Sequence, residues 1–272
     1  MNKKITRIAI TGALGRMGKM LVKEIHKNKN TCLTTAIVKK NHPLINHDIG
    51  QEIGIGNIGV LIKDELDIKN NNFDILIDFT SPKATLQYLK YCHNFQKNII
   101  IGTTGFSKEE IKIINSYSKN IAILIASNFS IGINLLYELV EQTTRILGDN
   151  SDIDILEFHH RNKIDIPSGT AITIGESISK IMQWDLNKNS LYYKKGLTKI
   201  RECKKIGFSS IRSGNIVGKH SVLFTNSEEE INITHTAFDR RSFAKGAIQS
   251  ALWVCLKNKG LFNMKDFLKN IY

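Results

Sequence analysis

The residues HHRNKIDIPSGT, at positions 159–170, gather two imidazoles, one amine and a turn able to open a helix. Upstream, DIDILEFH (152–159) alternates like a strand; downstream, TAITIGESISKIMQ (170–183) is spaced like a helix. Neighbouring side chains on a strand point to opposite faces, so His159 and His160 cannot both ligate one metal while the strand continues. Their spacing is not that of a helical i, i+4 zinc pair either, and no metal is expected. What the spacing suits is an acid/base site for an anion. Lys163 brings a positive charge and a proton, and a histidine titrates near neutral pH. Ser168 can cap the following helix, leaving the Gly169 and Thr170 amides free at its positive end, a seat for a carboxylate. The competing reading is compositional: with 38 Lys+Arg and 8 His, a lysine beside two histidines is unremarkable by count.

The elements ahead of this stretch repeat one pattern. KITRIAI (4–10) is a β-branched run, TGALGRMG (11–18) breaks it, and Met17, Met20, Leu21 and Ile25 then recur at helical spacing. Strand, glycine turn and helix form a phosphate cradle: Gly12 for the turn, Gly15 for approach of the backbone to phosphates, Gly18 for close packing of helix on strand. The pattern is G-x-x-G-x-x-G, and a structural turn with incidental glycines is the alternative. The second strand, CLTTAIV (32–38), ends in Val38-Lys39-Lys40, where a dinucleotide site carries an acid for the ribose hydroxyl. Lysine there attracts a 2′-phosphate, so NADPH is expected as the preferred cofactor, with Lys39 as its contact and NADH as a second cofactor. Restoring an acid by Val38→Glu is then expected to improve use of NADH. Residues 41–72 read as a long loop with short elements. Strands at 73–82, 98–105 and 121–130 alternate with helices, one of which opens on a Ser107/Glu110 capping box. That alternation implies a parallel sheet with helices on both faces, and ligands in such sheets sit at the carboxyl ends of the strands. Three ends are small and polar: Gly12-Ala13-Leu14-Gly15-Arg16-Met17, Gly102-Thr103-Thr104 and Ala126-Ser127-Asn128-Phe129.

After residue 150 the pattern changes. Residues 152–160, 206–212, 220–225 and 231–238 are strand-like with turns between them, an open sheet packed on the 170–183 helix. Such a sheet has an edge or face to cover, which favours self-association. SFAKGAIQSALWVCLKN (242–258) is an amphipathic helix with Phe243, Ala247, Ala251, Leu252 and Cys255 on one side, expected to return to the first lobe. The fold class expected is therefore α/β. A Rossmann-type dinucleotide-binding domain comprises 1–129 and 241–272, and an α+β substrate and oligomerisation domain with an open mixed sheet comprises 130–240.

A chain of 272 residues, 42% hydrophobic and 23% charged, can fill two such cores. The N-terminus runs straight into a strand, no apolar run approaches a membrane span, and four cysteines are scattered without a CxxC. A cytoplasmic protein with no membrane partner is expected. The net charge of +13 raises nucleic acid as a partner, but the basic residues are spread through a Lys/Asn/Ile-rich chain, so none is expected. One run stands out: eight Lys/Arg against one Glu between Tyr192 and Lys219, read first as a solvated loop and second as a wall facing an anion.

The motifs GALGRMG, LIDFTSP, IGTTGF, ASNFSIGIN, HHRNKIDIPSGTA, IGFSSIRSGNIVGKH and FAKGAIQSALW, in this order over almost the whole chain, resemble the dihydrodipicolinate reductase (4-hydroxy-tetrahydrodipicolinate reductase) family of bacterial lysine and diaminopimelate synthesis. The resemblance implies an NAD(P)H-binding first lobe, and a second lobe that binds a dicarboxylate and forms a homotetramer through its sheets. It implies His159 as the acid/base residue and Lys163 as the proton donor, with His160 and the Gly169 and Thr170 amides gripping the substrate carboxylates. Two departures from the family pattern are Val38 in place of an acid and the basic loop 194–205. Two rival readings are an acylating semialdehyde dehydrogenase, which needs a nucleophilic cysteine that ASNFS lacks, and a nicotinamide-responsive sensor that binds nucleic acid.

Overall fold

The computed structural model describes residues 5–67, 72–193 and 200–271. Two units emerge: Met1–Ile131 with Arg241–Tyr272, and Gly132–Arg240.

In the first unit, β1 (Thr6–Thr11), α1 (Arg16–Lys27), β2 (Thr31–Ile37), α2 (Ile49–Glu52) and β3 (Ile62–Lys63) are followed by β4 (Ile75–Asp78), α3 (Pro82–Asn94), β5 (Asn98–Ile101), α4 (Lys108–Tyr117) and β6 (Ala122–Ile125). After the second unit the chain adds α8 (Arg241–Val254), β12 (Gly260–Phe262) and α9 (Met264–Leu268). The strands form one parallel sheet in the order β12-β6-β5-β4-β1-β2-β3. Its central strands are continuous apolar runs because both faces are covered. Ile8, Ile10, Ile75 and Ile77 pack with Leu21 and Ile25 of α1 and Ala247 and Ala251 of α8. Ala9, Leu76, Ile99 and Ile101 pack on the other side with Leu89 of α3 and Ile114 of α4. The chain runs outward from β1 in one direction and from β4 in the other, so strand order reverses between them, the place where such sheets bind ligands.

The carboxyl ends there are tied to one buried side chain. Asp78, fully shielded at the end of β4, accepts hydroxyl hydrogen bonds from Thr11 and Thr80 on Oδ1, and from Thr85 and Thr103 on Oδ2. The knot joins the ends of β1, β4 and β5 to the start of α3. Within residues 41–67 the Asp48 carboxylate accepts from the Gly50, Gln51, Ile58 and Val60 amides. Burial alone would raise its pKa; the amides outweigh burial and hold it below the usual carboxylate range.

The second unit contains α5 (Ile131–Leu147, beginning one residue before it), β7 (Asp152–His159), α6 (Gly169–Met182), α7 (Leu186–Asn189), β8 (Ser190–Tyr192), β9 (Ile206–Arg212), β10 (Gly218–Thr225) and β11 (Glu230–Ala237). The sheet is mixed, in the order β11-β10-β7-β9-β8, antiparallel from β11 to β7 and parallel from β7 to β8. One face carries Ile153, Ile155, Ile206, Phe208, Val222 and Phe224 against α5 and α6. This is an α/β fold with a parallel-sheet unit and a mixed-sheet unit, as the patterning implied.

Three details differ from expectation. The buried face of α8 is Ala244, Ala247, Ile248, Ala251 and Val254, turned from the predicted one; Phe243, Leu252 and Cys255 are only half-buried. Small residues are needed inward because α8 lies close to its neighbours: a Cβ on Gly246 would overlap the Phe129 carbonyl. The short β8, α7, β12 and α9 have no counterpart in the sequence pattern, since elements of three to five residues carry no periodicity. The basic run is not simply solvated. Residues 194–199 lie outside the described residues, but Arg201 pairs with Asp152 at 3.0 Å and Asp154 at 2.9 Å on β7.

Gly18 packs as its role in the cradle required: a Cβ there would overlap backbone atoms of Gly12 and Ala13, which cannot rotate away. Gly18→Ala is expected to destabilise the protein by about 1–3 kcal/mol, read as a lowered midpoint in thermal or urea unfolding. An unchanged midpoint contradicts the packing argument.

Candidate active site

Strand alternation on β7 turns Ile153, Ile155, Glu157 and His159 to the buried face. The first two fill the core; the last two continue the row as a polar pair. Glu157 is 1% exposed and His159 9%. His159 Nδ1 hydrogen-bonds Glu157 Oε2, and Arg212 Nη2 donates to Glu157 Oε1 at 2.7 Å. Register supplies the neighbours: Arg212 of β9 lies beside His159, and His220 of β10 beside Glu157. The His220 ring meets His159 edge-on at 5.1 Å, and its Nε2 lies 3.2 Å from Ser168 Oγ. Burial would raise the Glu157 carboxyl, but hydrogen bonds from His159, Arg212 and Ser210 bring it down to about 2. His220 is pushed down to about 3 by burial and then by the neighbouring His159. Near neutral pH the first is an anion and the second a neutral ring.

Past the strand, His160 and Lys163 share a tight turn, with the Lys163 amide donating to the His160 carbonyl at 3.1 Å. The Lys163 ammonium, one-fifth exposed, donates to Asp165 Oδ2 at 2.8 Å and holds that carboxyl below its usual range. Arg212 also donates to the Asp165 carbonyl at 2.7 Å, joining this turn to Glu157. The carboxylate that holds Lys163 is thus an exposed one. Ile166–Pro167 is a cis peptide, and Ser168 opens α6 as predicted, accepting from the Ala171 amide. The first turn of α6 holds no acidic residue, and the Gly169 and Thr170 amides precede any intrahelical acceptor. That end is fit to take a carboxylate.

Donor atoms of Glu157, His159 and His220 lie within 4.8 Å of one another, spacing that can hold a metal. Here one carboxylate oxygen is taken by His159 and the other by the Arg212 cation, which would repel a metal ion. The carboxylate is committed to these two donors.

In the first unit Gly12 has φ +70, and a Cβ there would meet the Phe79 carbonyl at 2.7 Å. Gly15 caps α1 without a side-chain bond, no acid stands in the first turn, and Leu14, Arg16 and Met17 border it. A cap lacking a side chain leaves the amides for a phosphate, so this turn fits a dinucleotide. The Asp78 knot brings it to the β5 end: Gly102 donates to the Asp78 carbonyl, Thr103 accepts from Thr80 while donating to Asp78, and Thr104 is exposed. At the β6 end Ala126 bonds back to Ile101 and Ser127 is exposed, with Asn128 between it and Phe129. The Ala13 side chain and the Phe129 ring are buried, the latter packed on Phe79 at 5.6 Å, so both offer only backbone to a ligand. Lys39 and Lys40 are exposed, whereas Val38 is 5% exposed in the core. A glutamate at 38 would begin from a buried position, which makes Lys39 the cleaner site for a cofactor test.

Known proteins agree on what these units are. The family model for the N-terminus of dihydrodipicolinate reductase matches residues 6–129, and that for its C-terminus matches residues 132–268. The chain belongs to the dihydrodipicolinate reductase family. It is 68% identical over 271 residues to the 4-hydroxy-tetrahydrodipicolinate reductase of Buchnera aphidicola subsp. Schizaphis graminum (strain Sg), covering 99% of each chain. It is 68% identical over 268 residues to that of Buchnera aphidicola subsp. Acyrthosiphon pisum (strain 5A), covering 98% of this chain and 99% of that one. A solved structure described as dipicolinate-bound dihydrodipicolinate reductase from Paenisporosarcina sp. TG-14 shares the fold. Its TM-score is 0.75 at 23% identity, over 95% of this chain and 97% of that one.

Within this family member, sequence reasoning overlooked Glu157, Arg212 and His220. Only Glu157 left a local signal, a charged residue on the apolar face of an alternating strand two positions before His159. Asp78 left a similar one at the end of ILID.

Both shifted groups couple folding to pH in the same direction. Glu157 takes up a proton more readily when unfolded, so its stabilisation is present above its ordinary 4.5 and fades as pH falls toward about 2. His220 is likewise depressed, so its contribution is complete above 6.5 and lost as pH falls toward about 3. Denaturant melts between pH 8 and 3 are expected to lose stability in both windows. His220→Gln is expected to flatten the part between 6.5 and 4.5 and to reduce the slope below it to the share of Glu157, and an unaltered curve contradicts a buried neutral His220.

Proposed function

We propose that the chain reduces 4-hydroxy-tetrahydrodipicolinate to tetrahydrodipicolinate with a pyridine nucleotide, in the diaminopimelate route to lysine. The observation that carries this is the family match in both units, joined to near-complete coverage of curated reductases. The site chemistry supports it. When bound, the reduced nicotinamide supplies a hydride from its C4 to the unsaturated substrate ring; one proton is taken up and water leaves. His159 stands as the acid/base residue at the end of β7 and Lys163 as the proton donor, released from Asp165 by the incoming anion. His160 and the Gly169 and Thr170 amides hold the substrate carboxylates, a task suited to an acid-free helix start whose first amides lack intrahelical acceptors.

Gly12 to Met17 cradle the pyrophosphate, with Gly102, Thr103, Thr104 and residues 126–129 lining the nicotinamide side. Lys39 contacts a 2′-phosphate, giving NADPH preference over NADH. The second unit associates into a homotetramer through its sheet: β11 is an edge strand paired only with β10 among the described residues, with Ile231 and Phe238 exposed near it. No helix among the described residues is long and apolar enough to cross a membrane, in keeping with a cytoplasmic enzyme. The semialdehyde dehydrogenase reading finds no support in the cysteines: Cys92 is buried with its thiol pushed up, and ASNFS contains none. The nucleic-acid sensor reading does not account for the His159–Thr170 constellation.

The test is oxidation of NADPH, and separately NADH, by the purified protein with freshly generated substrate. Substrate-dependent turnover, faster with NADPH, is expected; none with either nucleotide from folded protein overturns the function. Lys163→Ala is expected to cut kcat by about a hundredfold or more while leaving the NADPH dissociation constant nearly unchanged. Lys39→Ala is expected to raise KM for NADPH about tenfold and leave that for NADH unaltered. Equal effects on both nucleotides would remove the 2′-phosphate assignment and keep the reaction.

A further inference from the structure

A histidine that moves protons has to present the right nitrogen in the right protonation state, and isolated imidazoles do neither reliably. His159 is not isolated. Its Nδ1 faces the buried Glu157 carboxylate, whose second oxygen is held by Arg212 at 2.7 Å. An ionised carboxylate only accepts, so the hydrogen on this contact belongs to Nδ1, leaving Nε2 as the nitrogen that gives or takes a proton. A Cβ on Gly218 would come within 3.2 Å of Nε2, so glycine there keeps space beside that nitrogen. His220, neutral and edge-on to the ring, links it to the Ser168 hydroxyl that caps the substrate helix.

We propose that Glu157 is a positioning residue for the reductase reaction: clamped by Arg212, it fixes the His159 ring in the Nδ1-protonated tautomer and aims Nε2 at the substrate. Glu157 touches neither substrate nor cofactor, and acts only through His159. The proposal rests on the acid/base reading of His159 given above.

The decisive variant is Glu157→Gln. Arg212 only donates, so it draws the oxygen of the new amide, and the amide NH2 is then turned to Nδ1. That forces Nδ1 to accept and moves the proton to Nε2, the wrong tautomer. Expected are a fall in kcat of about a hundredfold or more, KM for the substrate within about twofold of the parent, and a thermal midpoint showing a folded protein. The 15N shifts of the neutral His159 ring in the full-length protein are expected to switch from Nδ1–H to Nε2–H. Combined with His159→Gln, the Glu157→Gln change should cost less than about twofold further, because a residue acting through His159 has nothing left to position. A folded E157Q protein with kcat within about threefold of the parent overturns the proposal, as does a loss additive with H159Q. Parental turnover by H159Q alone defeats the acid/base reading, and this proposal with it; an inactive H159Q beside an active E157Q defeats this proposal only. Should E157Q fail to fold, Glu157→Asp keeps the charge but withdraws the oxygen from Nδ1. A roughly tenfold loss confined to kcat is then expected, and parental kcat overturns the assignment.

Discussion

A carboxylate removed from water must receive its hydrogen bonds from the protein, and each unit of this chain is arranged around one such group. In the parallel sheet it is Asp78, which takes four threonine hydroxyls, two on each oxygen. In the mixed sheet it is Glu157, held between a histidine and an arginine. Leaving either group unsatisfied would cost several kcal/mol, so the donors are fixed in place by the same requirement that buries the acceptor. The residues assigned to chemistry then inherit that rigidity.

The two knots work differently. Neutral hydroxyls around Asp78 lock strand ends together without adding charge. The glycine turn then presents backbone amides and the positive end of α1, with no acid in its first turn. Around Glu157 the donors are ionisable, so position and protonation state are set together. Arg212 is the common member: it holds Glu157 and the carbonyl of Asp165, whose side chain pairs with Lys163. His159 and Lys163 are thus tied to one guanidinium, the first through Glu157 and the second through Asp165.

Basicity has a local explanation too. Within the excess of lysine and arginine, Arg201 is spent on Asp152 and Asp154, and Lys205 on Glu202. These are pairings within the fold, so this part of the basic run is not simply solvated. Lys39 and Lys40 stay exposed at the end of β2, and the partner of Lys163 is the exposed Asp165 carboxylate.

By itself the sequence determined the alternation of strand and helix, the glycine cradle, the Ser107 and Ser168 caps, and the stretch from His159 to Thr170. Each rests on interactions between residues close along the chain, where spacing and side-chain type are sufficient. It also determined family membership through motifs spread over the whole length. Tertiary structure alone decided which residues stand behind the histidine. Arg212 and His220 lie 53 and 61 positions from His159, and only strand register, parallel on one side of β7 and antiparallel on the other, sets them beside it. The same holds for Val38 and the buried face of α8. Both are apolar by sequence, but how far each sinks into the core depends on how closely neighbouring elements approach, which no local pattern encodes.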